Sequence, residues 1–121
     1  MVPSPQYFQD GKNSSHAILF FGTTLHAAEE ALDILKSEGS PMDAIRIKSF
    51  PFAEEVATFI EQYDKVFVIE QNRDAQFRTL LINELEINPK KLVKVLNYDG
   101  TPITADFILT QIHQHLFQPI N

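Results

Sequence analysis

The residues of this sequence that could do chemistry fall in four short turns, each of which follows a run of apolar residues. The first is Gly22-Thr23-Thr24, whose glycine and two hydroxyls could cradle an anion or a phosphate at the start of a helix. The same three residues could instead form a tight turn followed by a helix cap. The sequence has neither a G-x-G-x-x-G motif nor a Walker motif, so this turn alone does not indicate nucleotide binding.

The turn with the most polar side chains is Glu70-Gln71-Asn72-Arg73, which follows a fully apolar run. A carboxylate at the end of a central strand could bind a partner loop, a hydroxyl or a cation. The alternative is helix initiation, in which Asn72 or Asp74 caps the next helix and Glu70 pairs with Arg73 or with a neighbouring loop. The sequence supports the two interpretations equally.

The other two turns are explained more readily by structure than by chemistry. Phe50-Pro51-Phe52 is expected to pack its two rings at the edge of a sheet rather than to bind a ligand. In Tyr98-Asp99-Gly100-Thr101-Pro102, an Asp-Gly pair followed closely by proline is a strong turn signal. Tyr98 and Asp99 still count as candidate site residues, because all four turns follow predicted strands.

The histidines do not form a recognisable catalytic or metal-ligating set. His113 and His115 are two residues apart on a predicted helix, so they point to different faces and cannot chelate one metal ion. His16 and His26 have no partner at ligand spacing, and the serines before His16 lack the surroundings of a nucleophile elbow. We therefore predict neither a catalytic residue nor a metal site in this chain.

The composition narrows the class of protein. A chain of 121 residues, 44% of them hydrophobic, is one ordinary globular domain. The absence of cysteine excludes a disulfide framework, a thiolate zinc site and an iron–sulfur cluster held by this chain.

With a net charge of −6 and no basic stripe, we expect no nucleic-acid partner, and Lys90-Lys91 is interpreted as a solvated loop. No apolar run approaches the ~20 residues that span a bilayer and the N-terminus is polar, so we expect a cytoplasmic protein without membrane contact.

Two alternating periodicities predict the elements that position the turns. Short continuous apolar runs are typical of strands covered on both faces, and the longer amphipathic segments between them are typical of helices. Strands are predicted over residues 17–21, 45–47, 66–69 and 92–96, and the first helix over 25–38. Three further helices are predicted around apolar stripes, which are Val56, Phe59, Ile60 and Tyr63 with Pro51 near the start, then Phe77, Leu80, Leu81 and Leu85, and last Phe107, Ile108, Ile112 and Leu116. Gly39 is a natural stop for the first helix, and Thr104 stands at the N-cap position of the last.

The order β-α-β-α-β-α-β-α predicts an α/β fold. Specifically, we expect a three-layer α/β/α sandwich around a mostly parallel sheet of four to five strands. Residues 1–121 form one domain, in which 1–15 are an N-terminal arm and 16–117 the βα core. Within the arm, Gln6-Tyr7-Phe8 could add an antiparallel edge strand. Ligands of such sheets bind beyond the carboxyl ends of the strands, which is where the four turns belong.

The turns, taken together and in order, resemble those of a known family. The matching segments are Val2-Pro3-x-Pro5, Gly22-Thr23-Thr24, Glu29-Glu30-Ala31 with Leu35 and Gly39, Ile45-Arg46-Ile47 with Phe50-Pro51-Phe52, Glu70-Gln71-Asn72-Arg73-Asp74-x-Gln76, and Tyr98-Asp99-Gly100-x-Pro102-Ile103-Thr104. The sequence resembles the C-terminal domain of the alpha subunit of 2-oxoacid:ferredoxin or flavodoxin oxidoreductases, which has the fold of the transketolase C-terminal domain. Thr23 stands where members commonly place serine, and Ala75 where they commonly place glycine.

This resemblance implies that the chain is one part of a larger enzyme. The family uses thiamine diphosphate with magnesium, iron–sulfur clusters and coenzyme A to convert a 2-oxoacid into an acyl-CoA, carbon dioxide and two reduced acceptor equivalents. This chain has no G-D-G diphosphate motif and no cysteine, so it is expected to bind none of these cofactors alone. Its implied partners are the remaining domains of the alpha subunit and the beta subunit, with ferredoxin or flavodoxin as acceptor of the whole enzyme. The isolated domain could form a homodimer.

The candidate site is therefore an interface or ligand edge. Its predicted residues are Gly22, Thr23, Thr24, Glu70, Gln71, Asn72, Arg73, Tyr98 and Asp99. The alternative is a free-standing or regulatory α/β module that binds a small anion at the same edge. An interface domain should leave an apolar patch of more than a few hundred Å² exposed when it is isolated, whereas a free-standing module should not.

Overall fold

Strands and helices alternate along most of the chain. The structure is a computed structural model, and it describes residues 5–8, 15–21, 25–48, 54–70, 76–96 and 103–116. The strands in these ranges are β1 (Gln6–Phe8), β2 (His16–Phe21), β3 (Asp43–Ile47), β4 (Lys65–Glu70) and β5 (Leu92–Leu96). The helices are α1 (Leu25–Ser37), α2 (Glu54–Glu61), α3 (Gln76–Leu85) and α4 (Ala105–Leu116). None of these helices has the length and apolar character of a membrane-spanning segment.

The strands form one mixed sheet in the order β1-β3-β2-β4-β5. The strands from β2 to β5 run parallel, and β1 pairs antiparallel with β3 at one edge. The predicted α/β fold with a mostly parallel sheet is thus confirmed, and so is the predicted antiparallel edge strand at Gln6-Tyr7-Phe8. The assignment of residues 1–15 and 16–117 to an arm and a core stays a prediction.

Both faces of the sheet are covered, which explains why the central strands are apolar without interruption. Ile18 and Phe20 of β2 point to one face, where they pack in a core with residues of α1 and α4. Ala17 and Leu19 point to the other face, where they pack with residues of α2 and α3. Alternate residues of one strand therefore enter different cores, as the period of two requires.

Two helix ends follow the predicted capping chemistry. Gly39 has a φ of 84°, and the amides of Gly39 and Ser40 donate to the carbonyls of Lys36 and Leu35 at 3.2 and 2.9 Å. These are the two hydrogen bonds of a Schellman motif, for which glycine is suited because it tolerates positive φ. At the start of α4, the Thr104 hydroxyl accepts a hydrogen bond from the Phe107 amide at 3.1 Å, which confirms the predicted N-cap.

Two local predictions differ from the structure. The second helix ends at Glu61, so Tyr63 lies beyond it, although its side chain is buried as predicted. Lys91 is not simply solvated, because its Nζ donates to the carbonyls of Ile60 and Glu61 at 3.3 and 3.2 Å. The last carbonyls of a helix have no partner within the helix, and an ammonium group satisfies them while it complements the helix dipole.

Candidate functional site

The order of the strands creates one place in the sheet where a ligand crevice is expected. Strands β2 and β4 are neighbours, but α1 follows β2 on one face and α3 follows β4 on the other. Adjacent strands whose helices leave to opposite faces define a topological switch point, and α/β proteins bind ligands at the carboxyl ends there. Phe20 pairs with Ile69 across this junction, so the strand ends Phe21 and Glu70 lie side by side.

Most of the predicted site residues lie outside the described residues. These are Gly22, Thr23, Thr24, Gln71, Asn72, Arg73, Tyr98 and Asp99, and the aromatic pair of Phe50-Pro51-Phe52 lies outside them as well. Their roles therefore stay predictions. What the topology adds is that segments 22–24 and 71–75 directly follow the two strands that meet at the switch point. Segment 97–102 follows β5, the next strand along the sheet.

Glu70 is the one predicted site residue that lies within the described ranges, and its side chain contacts the start of the next helix. Its side chain is buried, with only 3% of the residue's surface exposed. One carboxylate oxygen, Oε1, accepts a hydrogen bond from the Phe77 amide at 2.8 Å, and Oε2 accepts one from the Arg78 amide at 3.1 Å. These amides belong to the first turn of α3, where N–H groups have no partner within the helix. Glu70 thus caps α3 from the end of β4.

These contacts favour the helix-initiation interpretation of the third turn. The structure shows Glu70 as a cap of α3. The caps that the sequence suggested, Asn72 or Asp74, lie outside the described residues, so their role stays a prediction. A buried carboxylate gains from the positive end of the helix dipole as well as from two hydrogen bonds. Such a cap at the end of a strand is difficult to predict, because it joins residues on two sides of a connecting segment.

Burial and hydrogen bonding act on the Glu70 carboxyl group in opposite directions. Desolvation by burial raises its pKa and is the largest effect. The amide hydrogen bonds from Phe77 and Arg78, followed by the positive charge of Arg78, lower the pKa but do not cancel that rise. The group is therefore an internal acceptor whose ionisation is disfavoured relative to an exposed glutamate.

An aromatic contact also joins the end of β2 to the start of α3. The ring of Phe21, at the end of β2, stacks on the ring of Phe77 with centroids 4.0 Å apart and planes 22° from parallel. Stacking at this distance adds to the apolar contact between the two rings. The sequence marked Phe21 as a strand residue and Phe77 as part of a helix stripe, but no local pattern indicated that the two rings meet.

Arg78 ties the same helix to the neighbouring strand. Its Nε donates to the carbonyl of Leu92 and its Nη2 to the carbonyl of Pro89, both at 2.9 Å. The first turn of α3 is thus held by the β4 end on one side and by the start of β5 on the other. Sequence reasoning missed this residue, because an arginine in an amphipathic helix is usually solvated.

The described part of the chain presents no catalytic or metal-binding constellation. Within these ranges, no three His, Asp or Glu side chains are placed to hold a metal ion. His113 and His115 do point to different sides of α4, as predicted. His113 Nε2 lies 2.9 Å from Glu38 Oε1, whereas the ring of His115 packs edge-on against Phe67.

Comparison with known proteins places this geometry in a structural context. No protein-family model and no curated protein matches the sequence. Among solved structures, the chain is similar to 2-oxoglutarate:ferredoxin oxidoreductase from Magnetococcus marinus, a structure with 2-oxoglutarate, coenzyme A and succinyl-CoA bound. The match has a TM-score of 0.83 at 22% identity and covers 94% of this chain. The chain has the fold of a 2-oxoacid:ferredoxin oxidoreductase domain.

This chain spans 20% of the length of the Magnetococcus chain. A second similar structure is the alpha chain of a probable 2-oxoacid ferredoxin oxidoreductase from Thermoplasma acidophilum, with a TM-score of 0.61 at 24% identity. That match covers 93% of this chain and 96% of the other, so the Thermoplasma chain is of similar length. The resemblance of the turn motifs to this group of enzymes is therefore confirmed at the level of the fold.

Proposed function

We propose that this chain is a structural and interface domain of a thiamine-diphosphate-dependent 2-oxoacid:acceptor oxidoreductase alpha subunit, and that it is not catalytic alone. The observation that carries the proposal is the fold match, which covers 94% of this chain but only 20% of the enzyme chain. The assembled enzyme would convert a 2-oxoacid to an acyl-CoA and pass the electrons to ferredoxin or flavodoxin. Thiamine diphosphate, magnesium, the iron–sulfur clusters and coenzyme A would be bound largely by its other domains.

The contacts of the buried carboxylates support a non-catalytic role. A general acid or base must be able to reach a substrate proton directly or through one water. Both oxygens of Glu70 instead accept hydrogen bonds from backbone amides of α3. Asp43 Oδ2 accepts a hydrogen bond from the Tyr63 hydroxyl at 2.6 Å. These are the two buried charged residues of the described ranges, and both stabilise the fold.

The proposed interface lies at the carboxyl edge of the sheet. Glu70 fixes the end of β4 to the first turn of α3, and segment 71–75 connects these two elements in the sequence. Segment 22–24 follows β2, the strand that pairs with β4 at the switch point. We assign Gln71, Asn72 and Arg73, together with Gly22, Thr23 and Thr24, to contacts with a neighbouring domain or with coenzyme A.

A specific surface observation favours the second candidate, a free-standing module that binds a small anion. In the part of the chain that the structure describes, Tyr7 is the one large hydrophobic residue with an exposed side chain, at 40%. A single exposed ring of this kind is too small to form the apolar patch that an interface domain is expected to expose. An anion would bind at Gly22-Thr23-Thr24 rather than at α3, where Glu70 already occupies the amides of Phe77 and Arg78.

The two candidates are separated by isolating the chain from its source cells through an affinity tag on the gene. The interface domain predicts a complex several times heavier than 13.8 kDa that reduces a low-potential dye when supplied with a 2-oxoacid and coenzyme A. A free chain near 13.8 kDa without that activity contradicts the proposal. If the free chain then binds inorganic phosphate, and Thr23→Val abolishes the binding, the second candidate replaces the first.

A pair of variants in the isolated complex tests the assigned edge. Arg73→Ala should weaken assembly or lower dye reduction, because it removes a charge from the proposed interface. Lys94→Ala is the control, since Lys94 is an exposed cation within β5 and away from the carboxyl edge. Equal behaviour of the two variants would overturn the assignment of Arg73, while the assembly itself would still support the interface domain.

A further inference from the structure

Two histidines from distant parts of the sequence pack against one buried phenylalanine at the amino end of the sheet. Phe67 of β4 is fully buried. The imidazole of His16, at the start of β2, stacks on its ring with centroids 6.0 Å apart and planes 23° from parallel. The imidazole of His115, in the last turn of α4, meets the same ring edge-on at 5.4 Å. We call these three side chains the His16–Phe67–His115 cluster.

The charges around the cluster do not favour two imidazolium ions. Burial lowers the pKa of His16 and is the largest effect, and the charges of His115 and Lys65 lower it further. Asp64 is the carboxylate that opposes this shift, and it does so incompletely. A cation–π contact with Phe67 could hold one imidazolium, but both imidazoles share the same ring. A positive charge on His115 therefore disfavours protonation of His16.

Other polar groups lie near the cluster and contact His16 or α4. Ser15 Oγ lies 2.7 Å from His16 Nδ1, and the hydroxyl can either donate to this nitrogen or accept from it. On α4, His113 faces the other way and lies 2.9 Å from Glu38 at the end of α1. This pair strengthens when His113 is protonated, but both side chains are more than a third exposed, so solvent screens the interaction.

We propose that the His16–Phe67–His115 cluster makes the packing of the last turn of α4 acid-sensitive, so that this turn is held on the sheet at neutral pH and loosens when His16 is protonated beside the His115 imidazole. The α4 end is the element that yields, because His16 belongs to a central strand that pairs on both sides. The last turn of a helix, in contrast, can open without breaking a sheet ladder.

The sign of the pH effect follows from the direction of the His16 pKa. Because the pKa of His16 is lower in the packed state than its ordinary value of 6.5, the unpacked state binds the proton more readily. The packing is therefore fully favourable above about pH 6.5 and weakens as the pH falls below it. Each unit by which packing lowers this pKa changes the opening equilibrium by up to about tenfold.

The test is amide hydrogen exchange of the 121-residue chain, followed by NMR at pH 7.5 and pH 5.5 and corrected for the pH dependence of intrinsic exchange. We expect the amides of residues 112–116 to lose protection at pH 5.5, while amides of the paired strands β2 and β4 keep theirs. His16→Gln, which keeps a polar side chain but cannot be protonated, should remove most of this loss. His26→Gln is the matched control, because His26 is exposed on α1, and it should retain the loss.

Three results would overturn the proposal. One is equal protection of the α4 end at both pH values, and another is a loss that extends equally to β2 and β4. The third is a loss that persists in His16→Gln. If His16→Gln does not fold, His115→Gln replaces it with the same expectation.

Discussion

The Phe77 amide donates a 2.8 Å hydrogen bond to the carboxylate of Glu70, seven residues earlier in the chain. This contact joins the end of a central strand to the start of the next helix. Since the Arg78 amide uses the second carboxylate oxygen, one side chain satisfies two of the amides that open α3. Glu70, which was predicted as a site residue, therefore connects β4 to α3 and has a structural role.

Removing the Glu70 carboxylate is expected to destabilise the domain. In Glu70→Ala, the partly buried amides of Phe77 and Arg78 lose their acceptor, and the free energy of unfolding should fall by about 1–3 kcal/mol. Urea denaturation measures the change. Glu84→Ala, which removes an exposed carboxylate from the same helix, should change stability by less than about 0.5 kcal/mol. Equal effects of the two substitutions would show that the cap contributes nothing.

The Glu70 carboxyl group also gives stability a defined pH dependence. Its native pKa lies above its ordinary value of 4.5, chiefly because it is buried, so the native state holds the proton more tightly than the unfolded chain. This contribution is fully present below pH 4.5 and is lost as the pH rises through the native pKa. The unfolding free energy of the unmodified chain minus that of Glu70→Gln should therefore decrease between pH 4 and pH 8. A difference that increases with pH would contradict the assigned direction.

The buried pair of Tyr63 and Asp43 should contribute strongly to stability. The Tyr63 hydroxyl donates to Asp43 Oδ2 at 2.6 Å, and both residues are at most 5% exposed. Tyr63→Phe should lower the free energy of unfolding by about 1–3 kcal/mol, because a buried charged acceptor loses this donor. Tyr7→Phe is the matched control, because Tyr7 is exposed and the loss of its hydroxyl contact with Glu55 should cost less than the loss of a buried hydrogen bond.

A double-mutant cycle separates the Tyr63–Asp43 hydrogen bond from other effects of the substitutions. Combining Tyr63→Phe with Asp43→Asn should cost less than the sum of the two single changes, by about 0.5–3 kcal/mol. Additive effects would mean that the two side chains stabilise the fold independently, despite the short distance between them.

Glu86 adopts a backbone conformation that glycine would tolerate better. Its φ is 55°, in the left-handed region directly after the end of α3. Relief of this strain, which costs about 1–2 kcal/mol in a residue with a side chain, competes with the greater freedom of glycine in the unfolded chain. Glu86→Gly should therefore leave stability unchanged or raise it by up to about 1 kcal/mol.

The comparison for Glu86 is a second exposed glutamate in ordinary helical geometry. Glu30→Gly, in the middle of α1, should lower the free energy of unfolding by about 0.5–1 kcal/mol, because glycine is a poor helix former. A similar loss in Glu86→Gly would contradict the strain assigned to residue 86, and a melting curve of each variant decides the matter.

The fold could be predicted from the sequence because the patterns that indicate its strands and helices involve residues close together in the chain. The alternation within Ala17–Phe20 sends neighbouring side chains into opposite cores, and this appears in the sequence as an unbroken apolar run. Gly39 and Thr104 end and begin their helices through contacts within five residues, so capping rules predicted both. The candidate site was harder to predict from the sequence, because the hydrogen-bond partners of Glu70 depend on where α3 begins relative to β4.

The sequence by itself determined the order of elements, the mostly parallel sheet, the antiparallel edge strand and the resemblance to an oxidoreductase domain. Only the tertiary structure decided that Glu70 caps α3, that Tyr63 pairs with Asp43, and that His16 and His115 share Phe67. The physical reason is range. Hydrophobic periodicity and capping act between near neighbours along the chain, whereas these contacts form between residues from 7 to 51 positions apart, which only the packed sheet brings together.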